Sequence, residues 1–337
     1  MDFVSFIGHK RTSEKLLNNI KRISKTPNVL YENLNFLNVF ESYVPVKTKI
    51  ALEESKNSIK MKITSKGNKD VAVAFPNIFG NGEYLKINAS NLSNVNVRLG
   101  TPLIFNSKLY KGQIAVESSE KSINDKEIQT KKAEIGLKTG NTTMKIGTEQ
   151  VVALRTVFGQ FLSNFLGARF DAKFGYTKTE KTIPFLKLIV GKKIKLEGSR
   201  FFVESDLKGG KIFGHTNLLE KFFLGDNLRG YKNNSVSPVN KNLKIGGNSF
   251  IEIKNKIGVF VKNTEIFSFA DFGVNSVKGI RECGKILANF EDNNCIGKSV
   301  GVGISLKNMR GPSFIFAVPL TSNPEVEKYS FEVDFKF

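Results

Sequence analysis

The sequence predicts an all-β fold, a transmembrane antiparallel β-barrel of about 16 strands, preceded by a small amino-terminal α+β domain. Three observations predict it. From about residue 70 to the end, apolar and polar residues alternate with period two, the signature of strands with one greasy and one wet face. Phenylalanine occurs 29 times with no tryptophan, and several copies sit at or near the ends of alternating runs, where a membrane barrel places its aromatic girdle. No run of 18 apolar residues appears, which excludes an ordinary transmembrane helix. A chain of this kind spans a bilayer only by strands closed into a barrel, because closure alone satisfies every backbone group.

Residues 1–66 read as the small domain. Thr12 or Ser13 can cap a helix whose apolar positions Leu16, Leu17, Ile20 and Ile23 recur at helical spacing. After Pro27, a second helix places Leu30, Leu34 and Leu37 on one face. Two strands follow, one with Val44, Val46, Thr48, Ile50 and Leu52 on one side, the next with Ile59, Met61 and Ile63. The expected order is strand, helix, helix, strand, strand.

Residues 67–337 read as the barrel. Val95, Val97 and Leu99 alternate with Asn94, Asn96 and Arg98; Val300, Val302, Ile304 and Leu306 alternate with Ser299, Gly301, Gly303 and Ser305. The clearest strand is the last, with Tyr329, Phe331, Val333, Phe335 and Phe337 on one face and Lys328, Ser330, Glu332, Asp334 and Lys336 on the other. A soluble sandwich alternates in the same way, and the phenylalanine usage tilts the choice to the barrel. The charged segment from Glu117 to Lys132 shows no alternation and is expected to be a solvated loop, with a partner-binding arm as the alternative.

A net charge of +20, from 51 Lys and Arg against 31 Asp and Glu, suggests nucleic acid, but that function needs a clustered patch. Here the lysines are dispersed and alternate with apolar residues, as in Lys193, Ile194, Lys195, Leu196, which suits a polar lumen or a solvated surface. Cys283 and Cys295 fit no metal spacing and establish no disulfide. His9 and His215 are too few for a zinc or catalytic cluster. The reading is therefore of a protein without catalytic residues, metal or cofactor. The start Met1, Asp2, Phe3, Val4 lacks the basic and apolar regions of a secretory signal, so none is expected.

The stretch Phe222, Phe223, Leu224, Gly225, Asp226, Asn227, Leu228, Arg229, Gly230, Tyr231 resembles the loop motif of the barrel-assembly family, which includes the bacterial barrel BamA and the barrel subunit of the mitochondrial sorting and assembly machinery. Tyr231 stands where the family usually has Phe. The family's later Phe-x-Asp-x-Gly strand is matched by Phe269, Asp271 and Gly273. Asn77, Gly80 and Glu83 resemble its early Asn-x-x-Gly-x-x-Glu pattern, and Gly301, Val302, Gly303 with Pro319, Leu320 its closing hairpin. The first domain looks like a single POTRA unit, from Gly8, His9, Lys10, Arg11, Thr12 and from Leu37, Asn38, Val39, Phe40. One such unit and no export signal resemble the mitochondrial branch. Ser330, Phe335 and Phe337 fit that branch's terminal-strand signal, with Glu332 in place of its glycine.

The resemblance implies that Leu228, Arg229, Gly230 and Tyr231 lie on a loop folded into the lumen and that Arg229 pairs with Asp271 on the wall, a charge-assisted bond that locks the loop. It implies that a first barrel strand around Val71, Val73 and Phe75 pairs with Tyr329–Phe337. That seam would open so that unfolded β-barrel precursors add strands to its edges, in a mitochondrial-type outer membrane and alongside SAM-type accessory subunits. A two-partner secretion pore shares these motifs and stays open as a second reading. A soluble basic β-protein that binds nucleic acid is the third.

Overall fold

The computed structural model describes residues 5–37, 39–46, 49–64, 69–90, 94–124, 126–152, 154–178, 182–225, 228–241, 243–262, 264–289, 294–306, 313–321 and 329–336. The small domain contains β1 (Ser5–Ile7), α1 (Glu14–Ile23), α2 (Pro27–Leu37), β2 (Phe40–Val46) and β3 (Lys49–Glu54). The Ser13 side chain caps α1 by accepting from the Leu16 N–H, and Pro27 opens α2 at the position where its missing N–H costs nothing. Leu16, Leu17, Ile20 and Ile23 from α1 meet Leu30, Leu34 and Leu37 from α2 over Ile50 and Leu52 of the sheet. The sheet order is β1-β3-β2, with β1 parallel to β3.

Two expectations about this region are corrected. The run from Val44 to Leu52 is not one strand: β2 and β3 form an antiparallel pair in which Val44 faces Ala51. The run with Ile59, Met61 and Ile63 belongs to the barrel as β4 (Ser58–Thr64), which pairs with β5 (Lys69–Pro76). The boundary thus falls before Ser58 rather than at 66. Alternation reports that a strand has two different faces; it does not report which sheet the strand joins.

After β5 come β6 (Tyr84–Ser90), β7 (Asn94–Phe105), β8 (Lys108–Ile123), β9 (Lys126–Thr139), β10 (Thr142–Val151), β11 (Leu154–Phe165), β12 (Ala168–Lys178), β13 (Thr182–Glu197) and β14 (Phe201–Gly214). A long connection, residues 215–248, carries a short ladder of β15 (Val239–Asn240) and β16 (Leu243–Lys244). The sheet resumes with β17 (Ser249–Val261) and β18 (Thr264–Ser276), then α3 (Ile280–Asn289), β19 (Ile296–Leu306), β20 (Ser313–Pro319) and β21 (Tyr329–Lys336). Apart from the β15–β16 ladder, each strand from β4 to β21 pairs antiparallel with the next along the sheet, and β21 pairs with β4, so the strand order returns on itself.

The two faces of this barrel differ as the bilayer requires. Leu99, Ile114, Ile135 and Ile146 lie opposite one another across β7 to β10, and all four are exposed, Ile146 to 71%. Such a band has no place in water and is the lipid-facing surface of a membrane barrel. On the other face of the same strands, Lys132 and Lys145 flank Glu134 at 2.8 and 2.6 Å.

The segment expected as a loop between Glu117 and Lys132 is instead the distal half of the β8–β9 hairpin. Both of its faces are polar there, which erases the alternation without removing the strands. Helix α3 likewise interrupts a region read as strands only. It packs against β17 and β18 with Cys283 buried and its thiol 3.5 Å from the Ser249 carbonyl. Gly284 lies in the middle of its ten residues, and a glycine there weakens the local preference for helix, so packing on the wall decides the conformation.

The small domain is fastened to the turn between β5 and β6. Asn77, buried and at φ +56°, donates to the Thr12 hydroxyl at 2.7 Å, and that hydroxyl donates to Glu54 at 2.6 Å. Glu54 also accepts the backbone N–H groups of Thr12 and Arg11. The Ser13 N–H donates to the Gly80 carbonyl at 2.6 Å, and a Cβ on Gly80, at φ +85°, would lie 2.3 Å from the Arg11 carbonyl oxygen. Burial pushes the Glu54 carboxyl up, but the bonds from Thr12, Arg11 and Lys10 outweigh it and hold the pKa at about 2. A depressed carboxylate stabilises the folded form above the ordinary value near 4.5, and that contribution fades as pH falls through 2. Limited proteolysis between the domains is expected to accelerate over that interval in the native chain and to lose this acid dependence in Glu54→Gln. Asn77→Ala is expected to loosen the junction at neutral pH by about 1–3 kcal/mol, read as a lower urea midpoint for cleavage.

Candidate functional site: a loop held inside the barrel

The connection 215–248 turns inward from the end of the barrel opposite the small domain, and three groups of contacts hold it. At its start, Asn217 donates to Thr156 at 3.3 Å. The buried Glu220 then meets Lys173 and, at 3.3 Å, Lys187, while Lys173 also reaches Glu149 at 3.1 Å. These lysines come from β12 and β13, the carboxylates from the loop and β10. Next, Phe222, Leu224, Leu228, Tyr231 and Val236 bury themselves against Ile212 and Phe250 of the inner wall.

The third contact is ionic. Arg229 donates through Nε to Asp271 Oδ2 at 2.7 Å and through Nη2 to Oδ1 at 2.5 Å, and its backbone N–H adds a bond to Oδ2 at 3.1 Å. The Asp271 residue is fully buried. A planar guanidinium fits a carboxylate through two parallel bonds, which fixes its orientation as well as its distance. Its other face rests on the Phe269 ring, 3.8 Å from the centroid, so two members of the Phe-x-Asp-x-Gly strand grip the same side chain.

Glycines make the fit possible. Gly230 follows Arg229 at φ +87°, a left-handed conformation that lets the chain turn so that the Arg229 backbone N–H and side chain point the same way. A Cβ on Gly273 would lie 2.6 Å from a Leu228 methyl, and one on Gly297 2.8 Å from the same atom. Tyr231, in the place of the more usual phenylalanine, uses its hydroxyl: it donates to the Lys298 carbonyl and accepts the Lys298 N–H, each at 2.8 Å, and lies 2.6 Å from the Thr321 hydroxyl.

The structure thus brings Leu228, Arg229, Gly230, Tyr231 and Asp271 into one place. The seam residues fall differently. The partner of β21 is β4, with Val333 opposite Ile63 and Phe335 opposite Met61; Val71 and Val73 lie one strand further on, opposite Met61 and Ile59, with Phe75 on the same strand. The displacement follows from assigning β4 to the small domain. Tyr329, Phe331, Val333 and Phe335 are on β21, and Phe337 lies outside the described residues. Sequence reasoning did not find Glu220 with its two lysines, nor Asn124 at the β8–β9 tip, which holds the Lys244 backbone through bonds of 2.6 and 3.1 Å. No local pattern links residues that come from different strands.

Residues 156–336 match the family described as the Omp85 superfamily domain. Among solved structures the chain is similar to BamA from Haemophilus ducreyi lacking POTRA domains 1–3, with a TM-score of 0.63 and 14% identity over 99% of this chain and 84% of that one. It is also similar to CdiB from Acinetobacter baumannii, TM-score 0.57 and 12% identity over 99% and 73%. CdiB from Escherichia coli gives 0.55 and 12% over 98% and 76%. At these identities the likeness is one of fold. No curated protein matches the chain.

Removing the guanidinium leaves a buried carboxylate without its partner. Arg229→Ala is expected to cost about 3–5 kcal/mol of loop anchoring, measured as the denaturant midpoint at which the loop becomes open to protease. Tyr231→Phe, which loses only the hydroxyl, is expected to cost about 1–3 kcal/mol in the same assay through the lost bonds to the Lys298 backbone and the Thr321 hydroxyl.

Proposed function

Because the chain belongs to the Omp85 superfamily, we propose that it inserts β-barrel precursors into an outer membrane through a seam between β4 and β21. The observation that carries this reading is that the first and last strands of the barrel, β4 and β21, pair with each other and close the wall. Opening that ladder exposes two strand edges, each a template for an incoming strand. The loop supports the wall beside that seam: the Tyr231 hydroxyl touches Lys298 on β19 and Thr321 in the connection that leads to β21. A loop anchored at Asp271 therefore steadies the inner side of the wall while the seam moves, and the chemistry is strand exchange with no bond-making step.

The β-α-α-β-β order and the β1-β3-β2 sheet support a POTRA-type role for the small domain, and the sixteen-strand order closed by β21 and β4 supports a resting barrel with a shut seam. A mitochondrial-type outer membrane and SAM-type accessory subunits are proposed on the motif resemblance. Retention in the membrane pellet after carbonate extraction, in the mitochondrial fraction, tests the location. Nucleic acid is disfavoured by the disposition of the lysines, many of which are paired with acids on the inner wall.

Lys62 and Asp334 stand opposite one another across the seam. A cysteine pair at these positions is expected to stop precursor assembly when oxidised and to restore it on reduction; assembly at the native rate with the seam crosslinked would defeat the proposal. The fold likeness to the CdiB structures favours one alternative, a pore that exports a single polypeptide. Depletion separates the two, since loss of many membrane barrels follows from an insertase and loss of one exported substrate from a pore.

A further inference from the structure

Lysines on the inner wall are commonly compensated. Lys145 reaches Glu134 at 2.6 Å, Lys254 reaches Glu252 at 3.1 Å and Lys256 reaches Glu265 at 3.0 Å. One group at the small-domain end is not. Lys86 and Arg98 stand opposite each other on β6 and β7, and Lys111 and Lys138 opposite each other on β8 and β9. Among the described residues none of the four has an acidic partner. Lys111 instead lies 4.2 Å from the Tyr84 ring centroid and donates to the Leu37 carbonyl at 3.3 Å, and Lys138 lies 5.8 Å from the Phe36 ring. The Arg98 Nε is buried with no hydrogen-bond partner. Like charges placed directly opposite destabilise a sheet, so two such pairs on one wall are a standing cost that an anion would relieve.

Beside them is a cavity of about 770 Å³ lined by Tyr84, Lys86, Lys111 and Lys56, with Glu41 as its one acid. Its other side is formed by Phe40 and Glu41 of β2, the outer strand of the small sheet. A strand edge on one side and a row of cations on the other suit an extended chain with acidic side chains better than a compact anion. We propose that this cleft between the small domain and the barrel wall binds an acidic, extended polypeptide segment. The proposal deepens the insertase reading, on which it rests for the origin of that segment: an acidic stretch of a precursor is held beneath the barrel before its strands reach the seam.

Binding of a fluorescein-labelled peptide alternating Glu with Val to the full chain in detergent, followed by anisotropy, tests this. The Glu peptide is expected to bind about tenfold more tightly than its Gln counterpart at low salt, with the difference shrinking at high salt. The double variant Arg98→Gln/Lys111→Gln is expected to erase the difference, and Lys86→Gln/Lys138→Gln to reduce it. Heat-modified gel mobility verifies that each variant keeps its barrel, and the second pair serves if the first does not fold. Equal affinity for the Glu and Gln peptides, a preference untouched in a folded variant, or full displacement by equimolar inorganic phosphate would overturn the proposal. Precursor assembly is measured in parallel. Assembly without a Glu preference rejects this site alone, and a Glu preference without assembly rejects the insertase reading alone.

Discussion

Asp271 sits fully buried on the inner wall of a barrel, a position that is costly for a carboxylate without partners. It is tolerated because Arg229 meets both of its oxygens and a backbone N–H adds a third bond. Much else is arranged around that contact. Gly230 turns the chain so that side chain and backbone converge, Phe269 supports the guanidinium from beneath, and Gly273 and Gly297 leave the space into which Leu228 fits. A buried ion pair of this kind adds little net stability over apolar packing but specifies one geometry strongly, since either partner alone is costly. Among the described contacts, it selects one register for the loop against the wall.

The same reasoning orders the rest of the lumen. A net charge of +20 would repel itself if spread over a compact surface. The fold places lysines on inward positions where carboxylates from neighbouring strands and from the loop can meet them, as Glu220 does between Lys173 and Lys187. The outward positions of the same strands are left to Leu, Ile, Val and Phe. Charge and hydrophobicity are thus separated by a period of two residues, and closure of the sheet turns that separation into an inside and an outside.

At the other end of the barrel, the junction with the small domain is built from polar atoms in series. Asn77 binds the Thr12 hydroxyl, and that hydroxyl binds Glu54, while Leu16 and Leu37 approach Gly82 within 3.2 and 3.5 Å of where a Cβ would stand. A hydrogen-bonded chain of this kind fixes direction more tightly than apolar contact does. The domain is consequently held at the mouth of the lumen, with its outer strand β2 across a cleft from Lys86 and Lys111.

The sequence by itself determined which residues face which way. Alternation along Asn94–Leu99 or Tyr329–Lys336 is a local property, and so are the helical spacings of Leu16 to Ile23 and the glycine after Arg229. It also singled out Arg229 and Asp271, because the stretches around them resemble the loop and strand motifs of the barrel-assembly family. Only the tertiary structure decided which strands are neighbours. The strand at Ser58–Thr64 reads the same whether it ends a small domain or begins a barrel, and its pairing with Tyr329–Lys336 joins residues at opposite ends of the chain. The Glu117–Lys132 hairpin, the Glu220 cluster and the opposed cations of β6 to β9 are of the same kind. Each depends on contacts between residues far apart in sequence, and a pattern that repeats every two residues carries no information about distant partners.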